Sequence, residues 1–223
     1  MKSLKETSHG KWYDDACGTA FALEVIGERW ALLVVRELML GGLRFSDLRA
    51  ALPGISAKVL TERLGGLEQD GVLVRKTLPP PGRAQVYELT QWGYHAEPAI
   101  RELGRWAARS TMHDPHLPLS PVSLMLSLRT MLLRKQAKGI SADIGFVIGG
   151  QEFRARLDNR QLPITREAAA GAQAIFRAPV ASLIAGLIYA DLPPEDLPGL
   201  TIEGEPKLAH KFARLFALPP KIA

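Results

Sequence analysis

Between residues 19 and 40 apolar side chains recur at close to helical spacing: Phe21, Leu23, Ile26, Trp30, Leu33 and Leu38. That period predicts an amphipathic helix, broken at Gly27 and ended by Gly41-Gly42. A shorter helix is predicted from Phe45 to Leu52, reaching the turn pair Pro53-Gly54. Another starts at Ser56, a side chain suited to an N-cap, and stops at Asp70-Gly71. Within it Leu60, Leu64 and Leu67 share one face and belong to a core, while Lys58, Thr61, Glu62 and Gly65 occupy the other. The period then changes. Val72, Leu73 and Val74 read as a strand, Pro79-Pro80-Pro81-Gly82-Arg83 as a turn, and Ala84 to Leu89 as a returning strand. Helix, turn, helix and basic hairpin in that order describe a winged helix-turn-helix, which sets one helix in a DNA major groove and the hairpin against the backbone. Thr90 caps a last helix, 91–109, whose apolar positions are Ile100, Leu103, Trp106 and Ala107.

The pattern breaks after that helix. Residues 111–121 hold three prolines with Asp and Ser beside them, the composition of a linker. Beyond it one amphipathic helix is predicted over Pro121 to Lys138, then strands Ala142 to Ile148 and Gln151 to Leu157 around a Gly149-Gly150 hairpin turn. Short strands follow at Gln161 to Thr165, Ala172 to Arg177 and Thr201 to Glu203, with helices over Pro179 to Tyr189 and Glu205 to Phe216. The expected fold is a mainly α winged helix-turn-helix domain over 12–112, a linker over 113–120, and an α+β domain over 121–218 with an antiparallel or mixed sheet packed by helices.

Composition adds little that contradicts this. The chain has 223 residues, 47% hydrophobic and 23% charged, enough for a core in each half. Net charge is +5, the sign expected for a partner carrying phosphates. The halves do not differ usefully, but Arg44 to Arg83 carries seven basic and four acidic residues. A single cysteine, Cys17, excludes an internal disulfide framework and a cysteine-based zinc site, and suits a reducing cytoplasm. No apolar run reaches the roughly 18 residues of a membrane span, and the first ten residues hold no apolar signal core, so the expectation is a cytoplasmic protein with no membrane partner.

The candidate DNA contacts follow from position. Ser56 can offer its hydroxyl or the helix N-terminus to a phosphate. Lys58 and Thr61 suit base edges, with Arg63 at the rim. Arg44, Arg75, Lys76 and Arg83 suit sugar-phosphate. Glu62 can accept from a cytosine amino group or pair with Lys58 four residues earlier. Each of these residues singly also fits an ordinary solvated helix; it is their order that points to double-stranded DNA.

Cys17 to Trp30, with Leu-x-x-x-Arg-Glu-Leu, Phe-x-x-Leu, Leu-Pro-Gly-Ile-Ser, Leu-Thr-x-Arg-Leu and Tyr87-x-Leu-Thr-x-x-Gly93, resembles HxlR-type bacterial transcriptional regulators over residues 12–109. The resemblance implies a homodimer built from terminal helices, with two recognition helices on a near-palindromic operator. The family often has glutamine where this chain has Glu62. In some members a cysteine at the place of Cys17 senses oxidants or electrophiles. A helix N-terminus would favour the thiolate of Cys17, while Asp14 and Asp15 would oppose it. No second cysteine is present, so only an intersubunit disulfide or a mixed adduct remains; the alternative is a small residue packed at a dimer interface.

More weakly, Asp143-Ile-Gly-Phe-Val-Ile, Phe153-Arg-Ala-Arg-Leu, Ala174 to Gly186 and Thr201-Ile-Glu-Gly-Glu-Pro resemble sterol-carrier-protein-type lipid-binding domains. That resemblance implies a cavity for a small apolar or lipid-like ligand, with Leu183, Leu187, Ile188, Phe212 and Phe216 as candidate lining or plain core. Glycine-rich phosphate loops, a nucleophile elbow and paired carboxylates are absent from the sequence, and His113-x-x-His116 has no third ligand near it. No enzyme activity, metal or cofactor is therefore expected. Three readings stay open: a regulator controlled by an apolar ligand, a lipid carrier that uses the winged helix for dimerisation, and a thiol-switch repressor governed by Cys17.

Overall fold

The computed structural model describes residues 13–79 and 83–222; the Pro80 to Gly82 tip of the predicted turn lies outside the described residues. The chain divides into two units, residues 1–100 and 101–223.

In the first unit the pattern breaks at Gly27, as predicted, into α1 (Gly18–Ile26) and α2 (Ala31–Leu38), separated by a turn in which Trp30 takes the left-handed conformation, φ +80°. The buried set differs from the predicted stripe. Val25, Ala31, Val34, Val35 and Leu38 are buried, whereas Phe21 is 44% and Leu23 50% exposed. The break explains the difference: a turn of non-helical backbone resets the phase, so one stripe cannot run through both helices. Helix α3 (Phe45–Ala51) and the Pro53-Gly54 turn lead to α4 (Ala57–Gln69). The Val59 amide donates to Ser56 Oγ at 3.2 Å, closing the expected N-cap. At the other end the Gly71 amide donates to the Glu68 carbonyl and the Val72 amide to the Leu67 carbonyl, the paired bonds of a Schellman stop. Leu60, Leu64 and Leu67 are all buried, as are Leu38, Leu48, Leu52 and Leu73 of the same unit.

The wing is β1 (Leu73–Thr77) against β2 (Gln85–Leu89), antiparallel with Leu73 opposite Leu89 and Thr77 opposite Gln85. Leu43 exchanges two backbone hydrogen bonds with Tyr87 and extends the hairpin on its far side. The predicted 91–109 helix is also divided, into α5 (Gln91–Tyr94) and α6 (Glu97–Ala107). Of its apolar positions Ile100 is half-buried, whereas Leu103 is 47% and Trp106 71% exposed. The division between units falls inside α6, ahead of the proline-rich 113–120 stretch. The reason is hydrogen bonding in the second unit: Arg101 Nη2 donates to the Arg129 carbonyl and Arg105 Nη2 to the Thr130 carbonyl, both at 2.6 Å.

The second unit opens with α7 (Pro121–Met131), capped by Ser120 Oγ, which accepts from the Ser123 amide at 3.0 Å. The helix ends at Met131, short of the predicted Lys138. There the chain turns to pair with a later segment: the Leu133 amide donates to the Leu215 carbonyl, and the Ala217 amide to the Met131 carbonyl. Strands β3 (Ala142–Ile148) and β4 (Gln151–Leu157) form the predicted hairpin, with positive φ at both Gly149 and Gly150, as a type I′ turn requires. With β5 (Ile164–Thr165), β6 (Ala174–Ala178) and β7 (Thr201–Gly204) they make a mixed sheet in the order β5-β4-β3-β6-β7, in which only β3 and β6 run parallel. Helices α8 (Ala181–Tyr189) and α9 (Pro206–Ala213) pack on it. The core is aromatic. Phe146 and Phe176 stack with centroids 5.4 Å apart, and Phe212 lies 6.2 and 6.4 Å from them. Arg154 crosses from β4 to Asp143 with two 2.6 Å bonds and also donates to the Ala170 and Gly171 carbonyls, fixing the loop before β6. That partner holds the Asp143 carboxyl below the usual carboxylate range.

Candidate nucleic-acid interface

Burying the leucine face of α4 turns Lys58, Thr61 and Glu62 outward, and all three are exposed. Thr61 Oγ1 donates to the Ala57 carbonyl at 2.9 Å. Lys58 and Glu62 make no ion pair among the described residues. Ser56 uses its hydroxyl as the helix cap, leaving the first-turn amides of α4 at the same exposed end. Arg44 is exposed at the N-terminus of α3.

The other basic candidates are differently placed. Arg63 points back to the α1–α2 turn: its Nη2 is 3.1 Å from Glu28 and its Nε donates to the Arg29 carbonyl at 3.1 Å. Arg75 pairs with Glu68 of α4 at 2.8 Å and lies over the Tyr87 ring. Lys76 pairs with Glu88 across the hairpin at 2.9 Å. Such surface pairs are each worth at most about 1 kcal/mol and can exchange for a phosphate. Arg83 is exposed, on the strand side of the tip. The structure thus brings Ser56, Lys58, Thr61 and Glu62 onto one helix, sets Arg75, Lys76 and Arg83 on or beside the hairpin, and commits Arg63 to a tie within the unit. Glu28, Glu68 and Glu88 are the partners that sequence reasoning did not see, since only the folded chain brings them near.

A model of the HxlR-like helix-turn-helix family matches residues 25–115. The chain is 40% identical over 86 residues to the uncharacterised HTH-type transcriptional regulator YvaP of Bacillus subtilis, an alignment covering 39% of this chain and 80% of that protein. The chain belongs to the HxlR-like helix-turn-helix family. The HTH-type transcriptional regulator YodB of Bacillus subtilis is a second relative, 36% identical over 86 residues, covering 39% of this chain and 77% of that one. The solved reduced form of YodB is 32% identical and covers 45% of this chain and all of that one, with a TM-score of 0.40. The HxlR-like part therefore ends near residue 115, and most of the second unit lies beyond it.

Cys17 stands just before α1 and is exposed. Its sulfur closes no cap hydrogen bond, yet the amides of Thr19 and Ala20 and the Thr19 hydroxyl lie close enough to hold the thiol below its ordinary range. Asp15, expected to oppose the thiolate, accepts a hydrogen bond from the Cys17 amide at 2.9 Å.

In the second unit a cavity of about 540 Å³ opens between the end of α8 and α9. Leu187, Ile188 and Phe216 line it, together with Leu192, His210 and Arg214. Two of the five predicted lining residues lie elsewhere: Phe212 is sealed in the aromatic core, and Leu183 is half-buried outside the cavity. The space between sheet and helices, where an apolar ligand was expected, is filled by phenyl rings, and the opening has shifted to the helix ends. No helix of the described residues is long and apolar enough to cross a membrane.

Proposed function

We propose that this chain is a transcriptional regulator that binds double-stranded operator DNA as a homodimer, with α4 in the major groove and the β1–β2 wing on the backbone. The observation that carries the reading is the exposed Lys58–Thr61–Glu62 face of α4, set opposite its leucine face, in a family of helix-turn-helix proteins. Dimerisation is supported by exposed apolar side chains on the terminal helices: Leu23 on α1, Leu103 and Trp106 on α6. The limits 12–112 for the DNA-binding domain and 121–218 for the second belong to the same proposal.

Binding to DNA is tested with labelled duplexes at several salt concentrations. Lys58→Ala is expected to lose about 1–3 kcal/mol on a selected operator. Arg83→Ala is expected to weaken all duplexes alike and to reduce the salt slope by about one. A wild-type protein with no salt-dependent duplex affinity would favour a lipid carrier that uses its winged helix only to dimerise.

We further propose that the second unit, read as a sterol-carrier-like domain, takes a small lipid-like molecule that alters DNA affinity. The α8–α9 cavity supports this, and its mixed lining favours an amphipathic molecule with its apolar body on Leu187, Ile188 and Phe216 and its polar end toward His210 and Arg214. A ligand at a hundredfold its Kd is expected to stabilise the folded protein by about 2.7 kcal/mol, read as a rise in Tm. No shift across a panel of fatty acids, lysolipids and sterols would make the second unit a packed structural module.

Cys17 supports a second mode of control, because it is exposed and its thiol is drawn toward thiolate by the start of α1. A quinone or a peroxide is expected to change operator affinity in the wild type and to leave Cys17→Ser unaffected. Equal responses from the two proteins would reject the switch.

A further inference from the structure

The outward face of α4 presents an ammonium, a hydroxyl-bearing methyl side chain and a carboxylate: Lys58, Thr61 and Glu62. Thr61 Oγ1 donates its proton to the helix's own backbone at Ala57, so the exposed side chain has no donor left to offer a base and has a methyl group to pack on one. Glu62 is exposed, and the nearest cations in sequence do not neutralise it: Lys58 makes no ion pair with it among the described residues, and Arg63 is held by Glu28 and the Arg29 carbonyl. A free carboxylate on a groove-facing helix is repelled by phosphate, so it is favourable there only against a base edge that donates. In the major groove two bases donate, adenine through N6 and cytosine through N4. Adenine sets its N7 acceptor beside N6, which repels a carboxylate, whereas cytosine presents the amino group alone. The one apolar group on a major-groove base edge is the thymine methyl.

Resting on the DNA-binding reading above, we infer that α4 selects a thymine beside a C·G pair. The Thr61 methyl packs on the thymine methyl, and Glu62 accepts from cytosine N4. Consecutive helix residues rise by only about 1.5 Å, so Thr61 and Glu62 address the same or adjacent base-pair steps. Lys58, one turn nearer the N-terminus, reaches guanine O6 and N7 beside them. Thr61 and Glu62 are then specificity-determining residues.

The test is selection from a pool of randomised duplexes by the full-length wild type, Glu62→Gln and Thr61→Ser, each checked for folding by circular dichroism. The wild-type consensus is expected to hold T next to C in each half-site. Glu62→Gln is expected to replace that C by A, because an amide pairs with N6 and N7 together, and to reverse the preference by about tenfold or more. On the wild-type consensus, exchanging the thymine for deoxyuridine is expected to weaken the wild type about fourfold, the effect of one buried methyl, and to leave Thr61→Ser unchanged. The same base selected by wild type and Glu62→Gln, or an equal deoxyuridine effect in wild type and Thr61→Ser, overturns the inference while DNA binding stands. A wild type that enriches no sequence overturns the DNA-binding reading and this inference together.

Discussion

Phe212→Ala is expected to destabilise the second unit by about 3–5 kcal/mol, the range for removing a fully buried phenyl group. Phe212 has no solvent exposure and touches three other rings, with centroids 6.2 Å from Phe146, 6.4 Å from Phe176 and 5.0 Å from Phe216. The lost contacts cannot be recovered by collapse, because Phe146 and Phe176 are anchored in adjacent parallel strands, directly opposite each other in the β3–β6 register. Total domain stabilities are about 5–15 kcal/mol, so one substitution removes a large part of the margin. Phe216→Ala is expected to cost less, since that ring borders the open cavity and water can enter the space it leaves. Urea denaturation read by hydrogen exchange over residues 142–178 checks both. Equal midpoints for the two variants would mean that the aromatic cluster is not what holds the sheet to α9.

That cluster also shows where sequence reading ends. Local signals were legible. Ser56 capping α4, the Leu60–Leu64–Leu67 face, the stop at Gly71 and the Gly149-Gly150 hairpin each depend on residues within a few positions of one another. Periodicity identified the apolar residues of α1 and α6 as helical stripes, but it cannot say what covers a stripe, and Leu23, Leu103 and Trp106 are exposed. The end of α7 was not legible, because it is set by pairing with residues 215–217, far along the chain. The basic candidates divide on the same ground. Lys58 makes no ion pair among the described residues, whereas Arg63, Arg75 and Lys76 meet Glu28, Glu68 and Glu88 only once the fold exists. Asp191, His210 and Arg214 share one cavity only because the 190–194 loop and α9 come together, which no local pattern in the sequence shows.

Gly93→Ala is expected to disrupt the junction between the wing and α5, although by helix propensity alone the change would stabilise a helix by about 1 kcal/mol. A Cβ built on Gly93 would stand 2.2 Å from the Val72 carbonyl oxygen and 3.2 Å from the Leu89 side chain. The nearest obstacle is backbone, and it is fixed from several sides. The Val72 carbonyl accepts from the Thr90 amide at 2.9 Å, Thr90 Oγ1 donates to the Gly71 carbonyl at 2.8 Å, and the Gly93 amide donates back to Thr90 Oγ1 at 3.1 Å. These bonds give the Thr90-x-x-Gly93 pattern its physical content: the threonine ties the end of β2 to the stop of α4, and the glycine allows α5 to lie against that stop. Overpacking of this kind typically costs about 1–3 kcal/mol, and more where backbone must move, so the steric loss outweighs the propensity gain. Because Gly71 and Val72 form the stop of α4, the displaced atoms reach that helix. Gly93→Ala should therefore lower both stability and operator affinity, whereas Lys58→Ala lowers affinity alone. Thermal denaturation beside duplex titration separates the two, and an unchanged Tm in Gly93→Ala would show that the contact at Val72 yields without cost.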